Sequence, residues 1–558
     1  MIRIACALAA IVLAPQGARA EPIRPYTVQT LVKPSLFHGL HGMKVGPDGA
    51  LYAADIYGFT IWRIDIATGA AKPFVAFPQG MADDLAFAPD GTMAWTSPGR
   101  VFGRRPDGRI FQIAHGLPGV NGIGFSPSGR LYVTQISPTR NTLVELDPAG
   151  QAPPKVLLEN TGGVNGFRID AHDVLWGPQG WRAGGFGNVV RIDLRTLEKT
   201  IVARDFTTPT GVDIDSQGNL YVVDLLDGAL TRVDPKTGAK TVVRQFDPWL
   251  DNLTISADDT VYVSDTADNT IWAFDTRTGQ TRAVVRGQLA LPGGLALAAT
   301  QDGDRLVVAD QFSYKIVDPK SGDVSNIGHR LGLPLVGGGS VRYSDGKLLI
   351  SAVFGGVTVV DPTSHAVLRT VEGLAGPQDA LALPGGDLLV VEFDKGRILR
   401  IPPDNRRAVL ADGFQGPTGM VADDHDGVFV TDAIAGSIVR IDIASGAKTL
   451  VAQGLRQPEG IDRGPGGWLY VVEGDGGNVM RIDPATGERQ AIAKGLPIGI
   501  MPPAGTKAIA DGEPTIMLLR SPIWVPNGIA VDKAGVVYVT ADKVGALYRL
   551  TPPQKQRK

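Results

Sequence analysis

The chain of 558 residues sets 54 lysines and arginines against 57 acidic residues, for a formal net charge of -3, and this even balance offers no basic face for nucleic acid. Its single cysteine, Cys6, lies near the N-terminus, so the rest of the chain has no disulfide or thiol chemistry. No apolar run beyond the N-terminal one approaches the roughly 20 residues needed to span a bilayer, which excludes a helical membrane protein, and 71 glycines and 40 prolines at regular intervals indicate a turn-rich, all-β chain.

In chain order, residues 1–20 come first. Arg3, an apolar run from Ile4 to Ala14 and the small-residue end Ala18-Arg19-Ala20 describe a secretory signal cut before Glu21. A periplasmic or secreted protein is the expectation. The segment Tyr26 to Val32 then reads as a strand without a blade of its own. After it a pattern repeats about every 40 to 45 residues, the period of a propeller blade: a Gly-hydrophobic step, a turn, a Leu-Tyr-Val strand, then Arg-Ile-Asp and Thr-Gly. Clear copies begin at Pro209-Thr210-Gly211-Val212, Pro417-Thr418-Gly419-Met420 and Pro458-Glu459-Gly460-Ile461.

The markers of the repeat are Gly42, Asp84, Gly122, Gly166, Gly211, Asn252, Gly294, Gly339, Asp379, Gly419, Gly460 and Gly528. Twelve four-stranded blades follow. A single ring of that size would leave an unfilled channel, whereas propellers usually have about four to eight blades, so the fold expected is two tandem six-bladed β-propellers. For closure, the favoured arrangement completes the sixth blade with the Val28 strand and the twelfth with Thr281 to Arg286. That divides the chain into 21–278 and 279–558. The competing arrangement puts the boundary near Leu289 to Pro292 and closes the twelfth blade with the Val28 strand. Two stretches depart from the repeat, Gly177 to Gly187 and Gly495 to Val525, and loops of that kind are often lids or binding segments.

Within a blade, the loop into the first strand and the loop out of the second open on one face, because the strands run antiparallel. Acidic residues closing the second strand, such as Asp55, Asp224, Asp265, Asp310, Asp432 and Asp542, recur too often to be a site and are expected to cap backbone amides. The residue before each marker varies instead. In the first ring it is His41, Asp83, Asn121, Asn165, Thr210 and Asp251; in the second, Gly293, Gly338, Gln378, Thr418, Glu459 and Asn527. Asp84, Asn252 and Asp379 add polar markers. Carboxylate and amide oxygens converging on one axis suit a hard divalent cation, typically Ca²⁺ with about six to eight oxygens. Read one at a time, Asn-Gly steps are also ordinary turn devices.

The Asn121-Gly122, Asn165-Gly166 and Asp251-Asn252 steps resemble the metal ring of the gluconolactonase, regucalcin and paraoxonase group of six-bladed propellers, over roughly the first half of the chain. That resemblance implies a divalent metal, Ca²⁺ by preference, held by Asn121, Asn165 and Asp251 with Asn252 beside them. It further implies polarisation of a lactone carbonyl or phosphoryl oxygen, with Asp251 as ligand and as nucleophile or base. The glutamate such sites take from the first blade is replaced by His41, a ligand or proton carrier that suits zinc, iron or manganese better than Ca²⁺. Asp83 or Asp84 would restore the lost charge.

The second half is similar to propellers of the NHL and streptogramin-lyase types through Pro458-Glu459-Gly460-Ile461 and Tyr470-Val471-Val472-Glu473. It lacks the histidine pair such a lyase implies, and reads as scaffold or specificity half, with Asp379 facing Glu459 and Asn527. No Gly-x-Ser-x-Gly elbow or phosphate loop is present. The functional expectation is an exported metal-dependent hydrolase of a lactone or related ester with a small-molecule substrate and neither nucleic-acid nor membrane partner. The alternatives are a binding propeller without catalysis and a metal-assisted lyase in the second ring.

Overall fold

The computed structural model describes residues 25–137, 140–180, 187–247, 249–300, 303–310, 313–326, 338–352, 356–423, 425–499 and 526–554. The expected signal at 1–20 and most of both unusual stretches, 181–186 and 500–525, lie outside the described residues.

Twelve four-stranded antiparallel sheets make up the fold, as two tandem six-bladed propellers. Second strands are the most buried, Leu51–Asp55 and Leu469–Glu473 along their whole length, since neighbouring blades cover both their faces. Fourth strands such as Lys448–Gln453 are largely exposed at the rim. In most blades the third and fourth strands are joined by a short hairpin that runs from an Asp to a Gly. In the first blade Asp65 accepts hydrogen bonds from the Thr68 amide and hydroxyl, both at 2.8 Å, and Gly69 takes the left-handed conformation that only glycine enters freely.

The marker glycines stand where first strands of adjacent blades touch. The Gly42 amide donates to Asp83 O at 2.8 Å, Gly166 to Thr210 O at 2.9 Å, and Gly460 and Gly528 to Asn527 O and Gly293 O, both at 3.0 Å. A Cβ on Gly122 would lie 2.6 Å from Asn165 O, and one on Gly419 2.6 Å from Glu459 O. No side chain fits there. Two of the polar markers bridge blades instead: Asp84 accepts from Leu85 and Ile123 amides, and Asp379 from Ala380 and Met420. Asn252 Oδ1 accepts from Leu253 at 2.9 Å.

The first ring closes within residues 40–285, and the second takes in residues 292–551 together with the N-terminal strand. Blade 1 meets blade 6 through Leu40–Val45 and Leu250–Ile255 around Phe37, Leu40, Met43, Tyr262 and Ile271. Blade 7 meets blade 12 around Val32, Leu295, Leu306, Val308 and Leu547.

The favoured closure is corrected. Thr27–Val32 pairs with Ala546–Thr551, with Val28 opposite Leu550 and Thr30 opposite Tyr548, so the N-terminal strand completes blade 12. Thr281–Val285 pairs with Thr270–Asp275 in blade 6, which moves the boundary from residues 278/279 to the linker after Val285. The reason is local. Asp275 caps the Arg277 and Thr278 amides at 2.9 and 3.1 Å, forming the same hairpin as at Asp65, and such a short loop commits the fourth strand to its own blade at little entropic cost. The N-terminal strand pairs instead with the third strand of blade 12.

That crossing strand ties the rings together. Ser35 Oγ accepts from the Gln288 and Leu289 amides, both at 3.3 Å, and Asn269 of blade 6 donates to Leu289 O. Fully buried Lys315 of blade 7 pairs with Asp310 at 2.9 Å and with Asp268 of the first ring at 3.2 Å.

Removing residues 1–32 therefore costs the burial of Tyr26 and Val32, about 3–6 kcal/mol, and should lower the melting temperature of the second ring by about 10 °C. The first ring should hold. Appending Pro25 to Val32 behind Gln554 through a flexible linker should restore the loss, measured by calorimetry with limited proteolysis to locate the ring that opens.

Candidate functional site at the mouth of the first ring

Most side chains before the marker positions project at the end of the channel where the first strands begin, because the backbones of adjacent blades already touch beside them. His41 and Asp83 meet first: Nδ1 lies 3.1 Å from Asp83 Oδ1 and 3.5 Å from Asp251 Oδ2. Asn121 Nδ2 donates to the other Asp83 oxygen at 2.8 Å. Blades 1, 2, 3 and 6 thus contribute one connected cluster. Asn165 holds the equivalent position in blade 4 and is largely buried. Thr210 donates to Leu250 O at 3.3 Å and serves the blade-to-blade seam. Asn252 packs over Gly166 and Gly211, away from the cluster, and Asp84 lies below it in a backbone bridge.

The electrostatics follow from this grouping. Burial alone would lower the His41 pKa, but the Asp251 and Asp83 carboxylates raise it to about 9. Burial and the nearby Asp83 push Asp251 up to about 6 against the attraction of His41. A protonated imidazole held between two carboxylates near neutral pH is the result. Tyr57 stands edge-on to His41 at 6.1 Å between ring centroids. Its pKa is raised by burial and by the charges of Asp83 and Asp251. Sequence reading passed over Tyr57, although it lies in the loop leaving the second strand of blade 1, on the face that carries His41.

Among the described residues no group of three or more His, Cys, Asp or Glu side chains is arranged to hold a metal ion. Any cation here would draw on amide oxygens as well: the Asp83 and Asp251 carboxylates, the Asn121 carbonyl left free by its Nδ2 bond, and Asn165. Imidazolium and cation would serve the same two carboxylates, so the donor set is compatible with either.

The other end of each channel carries ion pairs that the repeat pattern did not reveal. Asp213 lies 3.4 Å from Lys44 and 3.5 Å from Arg168 beside a cavity of about 290 Å³. In the second ring Arg342 grips Asp379 at 2.6 Å. Asp379 therefore turns to Arg342 and the Met420 amide and does not face Glu459 and Asn527, which corrects the expected grouping. Charged residues in first strands otherwise filled by apolar ones were the available signal.

At the second mouth Glu459 accepts from Gln457 Nε2 at 2.8 Å and from the Asn527 amide and Nδ2 at 2.8 and 2.9 Å. Burial, with repulsion from Asp542, raises its pKa to about 7. The acids closing second strands are caps, as expected: Asp432 accepts from Gln415, Gly416 and Ala435 amides, and Glu392 and Glu473 do the same for Ala375 and Arg456.

A family model described as outer membrane protein assembly factor BamB matches residues 168–409, across both rings. A gluconolactonase of Zymomonas mobilis is 30% identical over 207 residues, covering 33% of this chain and 48% of that protein. The chain thus spans about half the length of that curated relative. A streptogramin B lyase structure aligns at 16% identity and a TM-score of 0.36, over 52% of this chain and 97% of its own. The virginiamycin B lyase of Staphylococcus aureus aligns at 15% and 0.24, over 62% and 96%. No helix among the described residues is long and apolar enough to cross a membrane.

Glu459 supplies a test of the second mouth. Its carboxyl has a higher pKa folded than the ordinary 4.5, so its contribution to stability is complete below about pH 4.5 and is lost as pH rises through about 7. Glu459→Gln cannot titrate. Its stability relative to the wild type should improve across that window by on the order of 3 kcal/mol, read from denaturant melts at pH 4.5 and 8.

Proposed function

We propose that the chain is a hydrolase acting on a lactone or related ester at the mouth of the first propeller. The observation that carries this reading is the contact of His41 Nδ1 with both Asp83 and Asp251, at 3.1 and 3.5 Å. It joins a proton donor to a base in one desolvated cluster, the pairing that general acid–base hydrolysis requires. The partial match to a gluconolactonase supports the substrate class.

In the reaction Asp251 accepts a proton from the attacking water. The new bond forms at the substrate carbonyl carbon, and the bond from that carbon to the ring or ester oxygen breaks. His41, kept protonated by its two carboxylates, gives its proton to the departing oxygen. Asp83 holds the imidazole in place, itself fixed by Asn121, and the product is a hydroxy acid or an acid and alcohol. A divalent cation held by Asp83, Asp251, Asn121 and Asn165 would supply Lewis-acid polarisation of the carbonyl. Ca²⁺ is the first choice, with a softer metal favoured by His41. The signal-like residues 1–20 and the BamB match support a periplasmic or secreted site of action.

A binding propeller without catalysis is the second reading. It is favoured by the BamB match, which crosses both rings.

Asp251→Ala should abolish turnover on a lactone panel and any metal-linked gain in stability, and His41→Gln should cost about 100-fold or more in kcat. Asn165→Ala should weaken metal retention less, since one neutral oxygen is lost. Cation at 100 times its Kd stabilises the folded chain by about 2.7 kcal/mol, so chelator should lower the wild-type melting temperature and leave Asp251→Ala unchanged. A wild type that hydrolyses no member of the panel and ignores chelator leaves the binding reading.

A further inference from the structure

The seam between blades 8 and 9 leaves unmade a hydrogen bond that three other seams carry. In blades 2, 10 and 12 a threonine twelve residues after the marker donates its hydroxyl to the mouth carbonyl of the next blade. Thr96 donates to Asn121 O, Thr431 to Glu459 O and Thr540 to Gly293 O, each at 2.6 Å. Ser351 holds that position in blade 8, and its hydroxyl, buried, has no hydrogen-bond partner among the described residues. The mouth residue of blade 9 is Gln378. Its side chain is buried, with the residue only 1% exposed, and both its Nε2 and Oε1 are likewise without partners.

Burying an amide with neither atom satisfied is costly, because no bond offsets the loss of its hydration. That cost is uncompensated by any contact in the described fold. Gln378 holds the station at which His41, Asp83, Asn121 and Asp251 of the first ring converge, so its amide is placed at the second channel mouth. Blades 11 and 12 bring Glu459 and Asn527 to the same mouth, while blades 7 and 8 bring Gly293 and Gly338, which have no side chain to fill it.

We propose that the mouth of the second ring is a binding site for a neutral, polyhydroxylated small molecule of sugar size, seated over Gly293 and Gly338 and hydrogen-bonded by Gln378. An amide offers a donor and an acceptor side by side and so matches a vicinal diol. The remaining groups explain the preference for a neutral ligand. Among the described residues the mouth positions contain no cation, Arg342 below them is committed to Asp379, and Glu459 repels anions when ionised. Polar stations spread over blades 9, 11 and 12 suit hydroxyls distributed around a ring better than a single polar head. The proposal stands apart from the hydrolytic reading of the first ring.

The test uses the full chain and ligand-observed saturation-transfer NMR. The probes are a panel of neutral aldoses and their disaccharides, with gluconate and inorganic phosphate as anionic counterparts. At least one neutral sugar should bind the wild type and the Asp251→Ala chain equally, which separates this site from the first. Gln378→Leu and Gln378→Met should each weaken that binding by about 10- to 100-fold, the worth of one or two hydrogen bonds. Both should also melt at or above the wild-type temperature without sugar, because an unsatisfied buried amide has been removed. Binding of no neutral sugar, preference for the anions, or sugar binding that survives both Gln378 variants would overturn the proposal. So would loss of sugar binding in Asp251→Ala alone.

Discussion

Contact between the backbones of adjacent first strands is the constraint on which this protein depends. Six strands can converge on an axis only if their backbones touch, and at Gly42, Gly122, Gly419 and Gly460 that contact leaves no volume for a Cβ. Two consequences follow from one geometric fact. The blades are joined by main-chain hydrogen bonds close to the axis, and the residue before each glycine is displaced to the mouth, where it is free to vary. Architecture and chemistry are therefore separated by a single position along the chain. Where the glycine is absent, Asp84, Asp379 and Asn252 use side-chain oxygens to bond backbone amides at the seam.

The second constraint is electrostatic. Desolvation at the axis penalises charge, so acidic groups there are paired or shifted. Asp213 is held below the usual carboxylate range by Lys44 and Arg168 against its burial, whereas burial raises Asp84 to about 7 despite the attraction of Lys44. The same physics at the mouth keeps His41 protonated between Asp83 and Asp251. Chemistry and structural support draw on the same residue types, and only their partners tell them apart: Asp432 and Asp224 spend their oxygens on backbone amides, while Asp251 faces an imidazole.

The rings are unequal in use of these devices. The first gathers a histidine and two carboxylates at its mouth; the second offers amides, one glutamate and two glycines. They are also coupled, because the strand that closes blade 12 passes through Ser35 and His38 into blade 1, beside Lys315 and its two aspartates. Opening of either ring at blades 1, 6, 7 or 12 disturbs the segment on which the other leans.

The sequence by itself determined the blade count, the two rings and the mouth positions, since each is a local property repeated many times. Alternation, a turn glycine and the Asp-to-Gly hairpin need no knowledge of distant residues. It also marked His41, Asp83, Asn121 and Asp251, because they interrupt a pattern. Tertiary structure alone decided which strand closes which ring: Val28 and Thr281 are both plausible fourth strands, and the choice rests on a hairpin at Asp275 competing with a pairing more than 500 residues away in sequence. It also decided the partners of the polar markers. Asn252 and Asp379 have the residue types of ligands, yet one packs over glycines and the other binds Arg342, because a side chain one position along a strand points to the seam instead of the mouth.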